Sequence, residues 1–415
     1  MQLVSTVLVS AVSTSIRLAI GFVSIKIIAV FVGPVGVALL GQFQNFVSMV
    51  MTVATGAINN GLIKYTSEFK HDQEERYKVW RTAVWINIIL IVPVSLFLII
   101  FHNWLSIFFF KDVGYSSIFI IFGGTLLFYV ANQFILNILN GLHEIKKFAI
   151  INISASIAGL LLNIALVYKW KIYGALLGLI LSQTAAFAVG VMFVINSDWF
   201  KLSCFFGKYD KEYLKKLFNY TLMSITALCM VPIGQLIIRN YLANHTSWEM
   251  AGCWQGMQRI SDTYLAILYT ALSTYYLPKL ANLQDKNLIK TEIYKGYKLI
   301  MPGLILITLI IYTQREFIVK LLFTKTFMPM IGMFFWQLTG DVIKIATWIL
   351  SYVMVAKSKT RLFIFNELIF GSSLILFSIL FTYLWGANGP VMAFCINYIL
   401  NFLYFVYLFR SGRLI

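Results

Sequence analysis

Charged residues are scarce in this 415-residue sequence, where they make up 12% of the chain. A soluble globular domain carries about twice that share. Hydrophobic residues make up 60% and fall into long runs such as 85–101 and 300–311. Lipid offers no partner to bare backbone groups, so such runs must form helices or closed barrels, and they are too evenly apolar for alternating barrel strands. The composition predicts an all-α, multi-pass membrane protein and excludes a soluble domain.

Cysteine and histidine are also scarce, with four residues of each. No pair of cysteines has the CxxC spacing, which argues against a disulfide framework or a metal site. The sequence contains no Walker loop, no GxSxG elbow and no HExxH. We therefore expect no cofactor, no metal and no enzymatic activity. The N-terminus has no basic segment followed by a small-residue cleavage site, so we expect no cleaved signal peptide.

Polar breaks divide the apolar runs into twelve predicted spans, each long enough to cross a hydrocarbon core of about 30 Å as a helix. The even number places both termini on the same side of the membrane. The spans lie near residues 4–31, 37–62, 82–102, 116–139, 148–168, 174–196, 217–240, 249–277, 297–315, 331–356, 362–384 and 389–409.

Basic residues give the chain a net charge of +17, which in a soluble protein would indicate a nucleic-acid partner. The distribution of these residues between the loops explains most of the excess. Loops on one side of the predicted spans hold 22 lysines and arginines, and loops on the other side hold six. By the positive-inside rule the richer side faces the cytoplasm. We therefore expect both termini to be cytoplasmic and no nucleic-acid partner.

The two halves of the chain align at an offset of 215 residues, which brings the later spans into register. The offset predicts a parallel repeat, with an N-terminal six-helix lobe at 1–198, a cytoplasmic linker at 199–216 and a C-terminal six-helix lobe at 217–415. Such a repeat is typical of transporters with a central site between the halves. The matched positions are Gly41 and Gly256, Lys64 and Lys279, Phe148 and Phe363, and Gly174 and Gly389.

Eight charged residues fall inside the predicted spans. Burying one at the bilayer centre costs about 2.5–3.5 kcal/mol, so such residues usually face a cavity or each other. Counting along the helix at 1.5 Å per residue places four of them near the midplane, namely Arg17, Arg259, Asp341 and Lys344. Lys26, Arg239 and Glu367 lie nearer the span ends, where snorkelling or end pairing explains the position as well as function does. The eighth is Asp262.

Arg259 with Asp262, and Asp341 with Lys344, are each spaced three residues apart and so share a helix face. The two pairs could neutralise themselves, which would make membrane insertion tolerable. Alternatively, the pairs open when an anionic ligand competes for the cations. The eight charges sum to a modest positive bias, which suits a phosphate-bearing substrate because an arginine fork grips phosphate oxygens.

Uncharged polar residues and tryptophans accompany these charges in spans two, eight and ten. Amides inside a membrane also form interhelical hydrogen bonds, worth about 0.6 kcal/mol on average. For the amides both that structural role and a role at the substrate site remain open, and the aromatic faces of the tryptophans suit sugar rings. They are Gln42, Gln44, Asn45, Gln255, Gln258, Trp254 and Trp336.

Stretches distributed through nearly the whole chain resemble Wzx-type flippases. The resemblance is nearest to the branch that moves the lipid-linked unit of enterobacterial common antigen, with O-antigen flippases near it. The stretches are GCWQG at 252–256, ISDTYL at 260–265, WQLTGD at 336–341 with Lys344, GPVG at 33–36, NG at 60–61, KY at 64–65, LP at 277–278, and Lys357 through Arg361 to Glu367.

This resemblance implies the MATE-like fold of the multidrug/oligosaccharidyl-lipid/polysaccharide (MOP) superfamily, a V-shaped pair of six-helix lobes. It implies a flippase of the bacterial inner membrane. Its substrate would be an undecaprenyl-pyrophosphate-linked oligosaccharide, carried from the cytoplasmic to the periplasmic leaflet with ion coupling. The implied partners are a polysaccharide polymerase and a chain-length regulator.

The residue chemistry and the resemblance together predict a substrate site with a cationic lumen. The residues predicted to bind the pyrophosphate or the glycan are Arg17, Lys26, Arg259, Lys344, Gln42, Asn45, Gln255 and Trp254. The residues predicted to couple an ion or to form charge pairs are Asp262, Asp341 and Glu367.

Two alternatives to the flippase fit the sequence less well. A cation/drug antiporter of the same fold would need carboxylates in its lumen, whereas cations outnumber acids five to three in the predicted spans. A polysaccharide polymerase or ligase would carry a large outer catalytic loop. The longest predicted outer connections, 103–115 and 316–330, are too short for one.

Overall fold

The structure is a computed structural model that describes residues 2–272, 276–357 and 359–412. Nearly all of these residues are helical, and they contain no β-strand. Residues 273–275, inside the predicted span 249–277, lie outside the described part of the chain.

Fifteen α-helices follow one another through the described residues. The first eight are α1 (Gln2–Ala54), α2 (Asn59–Glu68), α3 (Gln73–Ile100), α4 (His102–Phe110), α5 (Ser116–Gly141), α6 (Ile145–Val194), α7 (Leu202–Phe205) and α8 (Lys211–His245). The others are α9 (Trp248–Ala271), α10 (Leu277–Asn282), α11 (Lys286–Thr313), α12 (Arg315–Leu322), α13 (Phe334–Ala356), α14 (Thr360–Trp385) and α15 (Gly389–Arg410). Short 3₁₀ helices occupy Val113–Tyr115, Lys325–Met333 and Gly386–Asn388.

Helices α1 and α6 are each interrupted at a residue with positive φ. In α1 the interruption is Gly33, whose φ of 66° suits glycine because it has no Cβ, and the following Pro34 lacks the N–H that a continuous helix would use. In α6 it is Lys171, with φ of 47°. Both breaks fall between predicted spans, at the boundaries of spans one and two and of spans five and six.

Seven helical segments of the described chain are long and apolar enough to cross a membrane. Large apolar side chains are exposed along them, including Met192 and Leu299, as expected for surfaces that contact lipid. The protein is therefore a multi-pass membrane protein, whereas the count of twelve spans stays a prediction. The segments are Ile16–Ala54, Gln73–Ile100, Val113–Gly141, Ile145–Val194, Lys286–Thr313, Lys325–Ala356 and Arg361–Arg410.

The chain divides into two compact units. Unit 1 contains residues 1–32 and 42–232, and unit 2 contains residues 33–41 and 233–415. The second unit therefore includes nine residues from the first half of the chain, at the start of the second part of α1. The predicted lobes 1–198 and 217–415 remain a prediction about the repeat.

Unit 1 has a core centred on Trp80 of α3. The indole is fully buried, and its Nε1 donates a hydrogen bond to Thr66 Oγ1 at 3.0 Å. The ring stacks on Phe205, with 5.7 Å between centroids, and meets the edge of Trp199 at 5.9 Å. Trp199 and Phe205, which follow α6, therefore pack the segment that leads into α8 against Trp80 of α3. Trp80 is in turn bonded to Thr66 of α2.

Unit 2 is organised around α13, which packs against α11 and α15. Tyr297 of α11 donates a hydrogen bond to the carbonyl oxygen of Ala346 at 2.6 Å. On the other side Gly340 lets α15 approach, because a Cβ there would lie 2.5 Å from Phe394 Cδ1. Helix α13 carries Asp341 and Lys344, so these contacts fix the backbone of two predicted site residues.

Candidate functional site

Arg17 lies on the wall of a cavity in unit 1 with a volume of about 480 Å³. Helices α1, α5 and α6 form this wall. Arg17 is the only charged residue among the described residues that line it, and its side chain is exposed. The polar uncharged residues of the wall are Ser24, Gln44, Asn132, Gln133, Asn152, Ser156, Asn163, Ser182 and Gln183.

A second cavity of about 360 Å³ adjoins the first in unit 1. The two share Gln44, Gln133 and Gln183, so the same three side-chain amides line both cavities. Hydroxyls and a further amide continue the polar lining along the second cavity. They belong to Ser48, Thr52, Thr55, Asn59 and Tyr129.

The polar side chains of α6 recur at helical spacing on one face. Asn152 and Ser156 are four residues apart, and Asn163 follows seven residues after Ser156, so the three share a side of the helix. Asn152 and Asn163 each use their Nδ2 to bond the carbonyl oxygen four residues earlier, at 2.8 and 3.1 Å. The Oδ1 acceptor of each is not engaged by these bonds. These residues are not among the predicted site residues, although their spacing within an apolar span is a signal that could have revealed them.

The predicted residues of α1 separate into two groups. Gln42 is fully buried, and its Nε2 donates to the carbonyl oxygen of Phe109 at 3.4 Å. This amide therefore has the structural role considered for it from the sequence, a hydrogen bond between helices. Asn45 and Lys26 are half-buried and line neither cavity. Arg17 and Gln44, in contrast, both line the larger cavity. Only Arg17 of these two was predicted to bind substrate.

Asp341 of α13 is fully buried and accepts three hydrogen bonds. Ser261 Oγ and Tyr264 OH of α9 each donate to its Oδ2 at 2.5 Å, and Gln337 Nε2 donates to its Oδ1 at 3.1 Å. Gln258 of α9 extends the network by donating to Gln337 Oε1 at 3.1 Å. This network joins α9 to α13 and satisfies the buried carboxylate without an ion pair to any residue that the structure describes.

Lys344 lies three residues after Asp341 but does not form an ion pair with it among the described residues. Its Nζ lies 5.0 Å from the ring centroid of Trp348, 5.7 Å from that of Phe394 and 5.9 Å from that of Tyr398. Aromatic faces attract a cation through the ring quadrupole. The direct Asp341–Lys344 pair considered from the sequence is therefore replaced by a hydrogen-bonded carboxylate and an ammonium among rings.

The electrostatic neighbourhood of Lys344 also includes Asp262 and Asp341, whose charges act on it at longer range. Asp262 itself is exposed, and its charge interacts with that of Arg259, its predicted partner. Glu367 is half-buried on α14. Unit 2 thus brings most of the predicted charges into electrostatic contact with one another.

Arg239 of α8 differs most from its predicted surroundings. Its position near a span end made snorkelling or end pairing a sufficient explanation, but the side chain is fully buried, which excludes snorkelling. Its Nη2 donates to Gln255 Oε1, and its guanidinium lies 5.6 Å from the ring centroid of Trp254. Arg239 therefore belongs with two predicted substrate residues of α9, and sequence distance from the span end could not show this.

Comparison with known proteins places the chain in a family. Residues 3–284 match the family described as polysaccharide biosynthesis protein. The chain belongs to this family.

Two of the curated proteins that the chain resembles are named as flippases. The chain is 26% identical over 402 residues to the lipid III flippase of Escherichia coli (strain K12), with 97% of each chain covered. The lipid III flippase of Shigella flexneri matches with the same identity and coverage.

Solved structures show the fold. An inward-facing MATE-family multidrug transporter of the MOP superfamily superposes with a TM-score of 0.72 at 14% identity, covering 96% of this chain and 98% of that one. The lipid II flippase MurJ, in an inward closed conformation, gives 0.74 at 14% identity, covering 97% and 87%.

These similarities confirm the coarser part of the sequence-based predictions. The chain has a MATE-like fold and belongs to a polysaccharide biosynthesis family. The prediction that it is not an enzyme is confirmed as well, because the proteins that it resembles are flippases and transporters. The O-antigen or common-antigen branch stays a prediction.

Proposed function

We propose that this protein is a flippase that moves an undecaprenyl-pyrophosphate-linked oligosaccharide from the cytoplasmic to the periplasmic leaflet of the bacterial inner membrane. The cargo would be an O-antigen or common-antigen repeat unit. Support comes from the polysaccharide biosynthesis family and from relatives named lipid III flippase. The MurJ-like fold is compatible with the same class of transport.

The observation that carries the proposal is the combination of one arginine with an amide-lined cavity in unit 1. A lipid-linked saccharide presents a pyrophosphate and many hydroxyl groups. Arg17 can grip phosphate oxygens with its planar fork, while Gln44, Gln133 and Gln183 offer both donors and acceptors to hydroxyls. Volumes of about 480 and 360 Å³ lie within the usual range of ligand sites.

In unit 2 we assign Lys344 a second contact with the phosphates and Asp341 a role in coupling. Within the described part of the chain Lys344 is held among aromatic rings rather than in an ion pair, so its positive charge is available to an anionic ligand. Asp341 is linked to α9 through Ser261 and Tyr264. A proton or cation at this carboxylate would weaken or redirect those bonds, which connects ion binding to the packing of two helices. Asp262 and Glu367 are assigned to the same coupling role.

The transport model requires two lobes of six spans each with both termini in the cytoplasm. Element order supports such a repeat, because α6 begins at Ile145 and α14 at Thr360, which matches the 215-residue offset of the sequence. The breaks at Gly33 and Lys171 divide two long helices into the lengths that twelve spans need. Rocking of two such repeats gives alternating access.

A cation/drug antiporter is not favoured by the same cavity. A cationic drug calls for a carboxylate, and the described lining of the Arg17 cavity has none. The likeness to multidrug transporters, at 14% identity, extends to the fold alone.

The test is complementation of bacterial strains that each lack one flippase for a different glycan. The wild-type chain should restore surface polysaccharide in at least one strain, and the glycan restored identifies the cargo. Arg17→Ala should lower that restoration by roughly tenfold or more, the usual effect of losing a charge-assisted contact, and Arg17→Lys should retain part of it. Lys208→Ala, an exposed charge outside the cavity, is the control.

Normal polysaccharide with Arg17→Ala would refute the assigned site. Raised drug resistance in all strains with no polysaccharide restored would refute the function. Co-purification from the complemented strain tests the proposed association with a polymerase and a chain-length regulator.

A further inference from the structure

Arg239 is a buried guanidinium in unit 2 with no carboxylate in ion-pair contact among the described residues. It has 0% of its surface exposed. Arg259 repels it, and Asp262 in turn attracts Arg259. A buried charge is tolerated in proteins when it is paired or fully hydrogen-bonded. Arg239 is therefore a buried charge that is neither paired nor fully hydrogen-bonded within the described residues.

The hydrogen-bonding groups at this place are donors that lack acceptors. Arg239 uses Nη2 on Gln255 Oε1, while its Nε and Nη1 are buried and bond no acceptor in the described part of the chain. Trp254 lies against the guanidinium, and its buried Nε1 also bonds no acceptor there. Arginine and tryptophan can only donate. A ligand that satisfies all three N–H groups must therefore be an acceptor, and the charge makes it an anion.

The side chains that form this group are held in place by close packing. Gln255 is confined on the side of α1, where a Cβ on Gly41 would lie 2.5 Å from its Cδ. Helices α8 and α9 are joined by only two residues, 246 and 247, and Ser247 caps α9 by accepting a hydrogen bond from the backbone N–H of Met250. The acceptor that holds Arg239 and the connection between α8 and α9 are therefore fixed, which lowers the ordering cost when an anion binds.

We infer that Arg239, Trp254 and Gln255 form a binding site for a single small anionic group in unit 2, with the free donors of Arg239 and Trp254 holding the anion. Full burial limits the occupant to one anionic group rather than a whole sugar. That group is either a free anion, such as chloride or phosphate, or a carboxylate or phosphate carried by the substrate. The cavity around Arg17 plays no part in this inference.

The experiment is a thermal unfolding titration of the full-length protein in detergent. Sodium chloride, phosphate and acetate are added separately at constant ionic strength, with bulky gluconate as the replacement anion. A ligand that binds only the folded state raises the melting temperature in a saturable way. We expect saturable stabilisation by at least one of the three anions. Chloride or phosphate as the effective anion points to a free ion, and acetate alone points to a carboxylate on the substrate.

Two variants locate the effect. Arg239→Gln removes the charge, and Trp254→Phe removes one N–H but keeps an aromatic ring. Each should raise the half-saturating anion concentration by roughly ten- to a hundredfold, because a hydrogen bond to a charged group is lost. Trp385→Phe removes an indole N–H from a half-exposed residue and should behave as the wild type.

The proposal is overturned if the wild-type melting temperature responds to none of the three anions. It is also overturned if Trp254→Phe, the milder change, leaves the titration unaltered. The titration contains no lipid-linked saccharide. Its failure would therefore leave the flippase proposal standing, and loss of complementation by Arg17→Ala would not bear on the anion site.

Discussion

Tyr264 on α9 donates a hydrogen bond to the buried carboxylate of Asp341 on α13, with 2.5 Å between the oxygens. Ser261, one turn earlier on α9, donates to the same Oδ2, so two donors of α9 bind one acceptor atom of α13. Bonds to a buried charged group are stronger than neutral ones, and removing one donor leaves part of the desolvation cost uncompensated.

Tyr264→Phe should therefore lower the free energy of unfolding by about 1.5–3 kcal/mol. The measurement is thermal or denaturant unfolding of purified protein in one detergent. Tyr269→Phe is the matched control, since this tyrosine lies on the same helix with about half its surface exposed. Equal losses in the two variants would show that the Asp341 bond contributes nothing specific.

Lys344→Gln should reduce transport by roughly tenfold or more, since a cation that contacts phosphate would be lost. Surface polysaccharide in a complemented strain measures it, with protein level checked by immunoblot. Lys344→Arg keeps the charge near Trp348 and should retain more activity than Gln. Lys290→Gln, an exposed lysine on α11, serves as the control. Full transport by the Gln variant at normal protein level would remove Lys344 from the site.

Gly252→Ala should destabilise the protein by about 1–3 kcal/mol, the usual range for overpacking. A Cβ at this position of α9 would overlap the backbone carbonyl of Pro34, which cannot turn aside as a flexible side chain could. Gly303→Ala on α11 is the opposite case, because a Cβ there has no neighbour within 4 Å. It should be neutral or stabilise by about 0.5–1 kcal/mol, since alanine is the better helix former. Unfolding curves should show a lower midpoint for Gly252→Ala and an unchanged or higher one for Gly303→Ala. A Gly252→Ala protein as stable as the wild type would contradict the close approach.

The charge distribution of the loops predicts a cytoplasmic C-terminus. A fluorescent protein fused after the last residue should fluoresce, while alkaline phosphatase at the same position should be inactive. Fusions after Asp112, which follows α4, should give the opposite pair of results. Active phosphatase at the C-terminus would reverse the orientation on which the direction of transport depends.

Hydropathy predicted the helical class well but not the true helix ends. The third span was expected at 82–102, whereas α3 begins at Gln73. Its first turns are charged and therefore invisible to a hydropathy search. Local chemistry extends the helix, because Asp72 caps it by accepting a hydrogen bond from the Glu75 backbone N–H.

The candidate site was harder to predict because it depends on which way each helix is turned. Gln42 and Gln44 are two residues apart, yet one is buried against Phe109 and the other lines both cavities of unit 1. The surroundings of Arg239 could not be predicted for a related reason. Its distance from the span end could be counted, but its neighbours Trp254 and Gln255 belong to the next helix.

Residues 33–41 lie in the first half of the sequence but pack as part of unit 2. A chimaera made by joining residues 1–216 of this chain to the second half of a relative would therefore import a mismatched piece into the relative's second unit. Gly41 and Gln255 would have to be exchanged together, as would Pro34 and Gly252. The natural crossover points for hybrid proteins are thus three places in the sequence rather than one, on either side of this segment and again near residue 232.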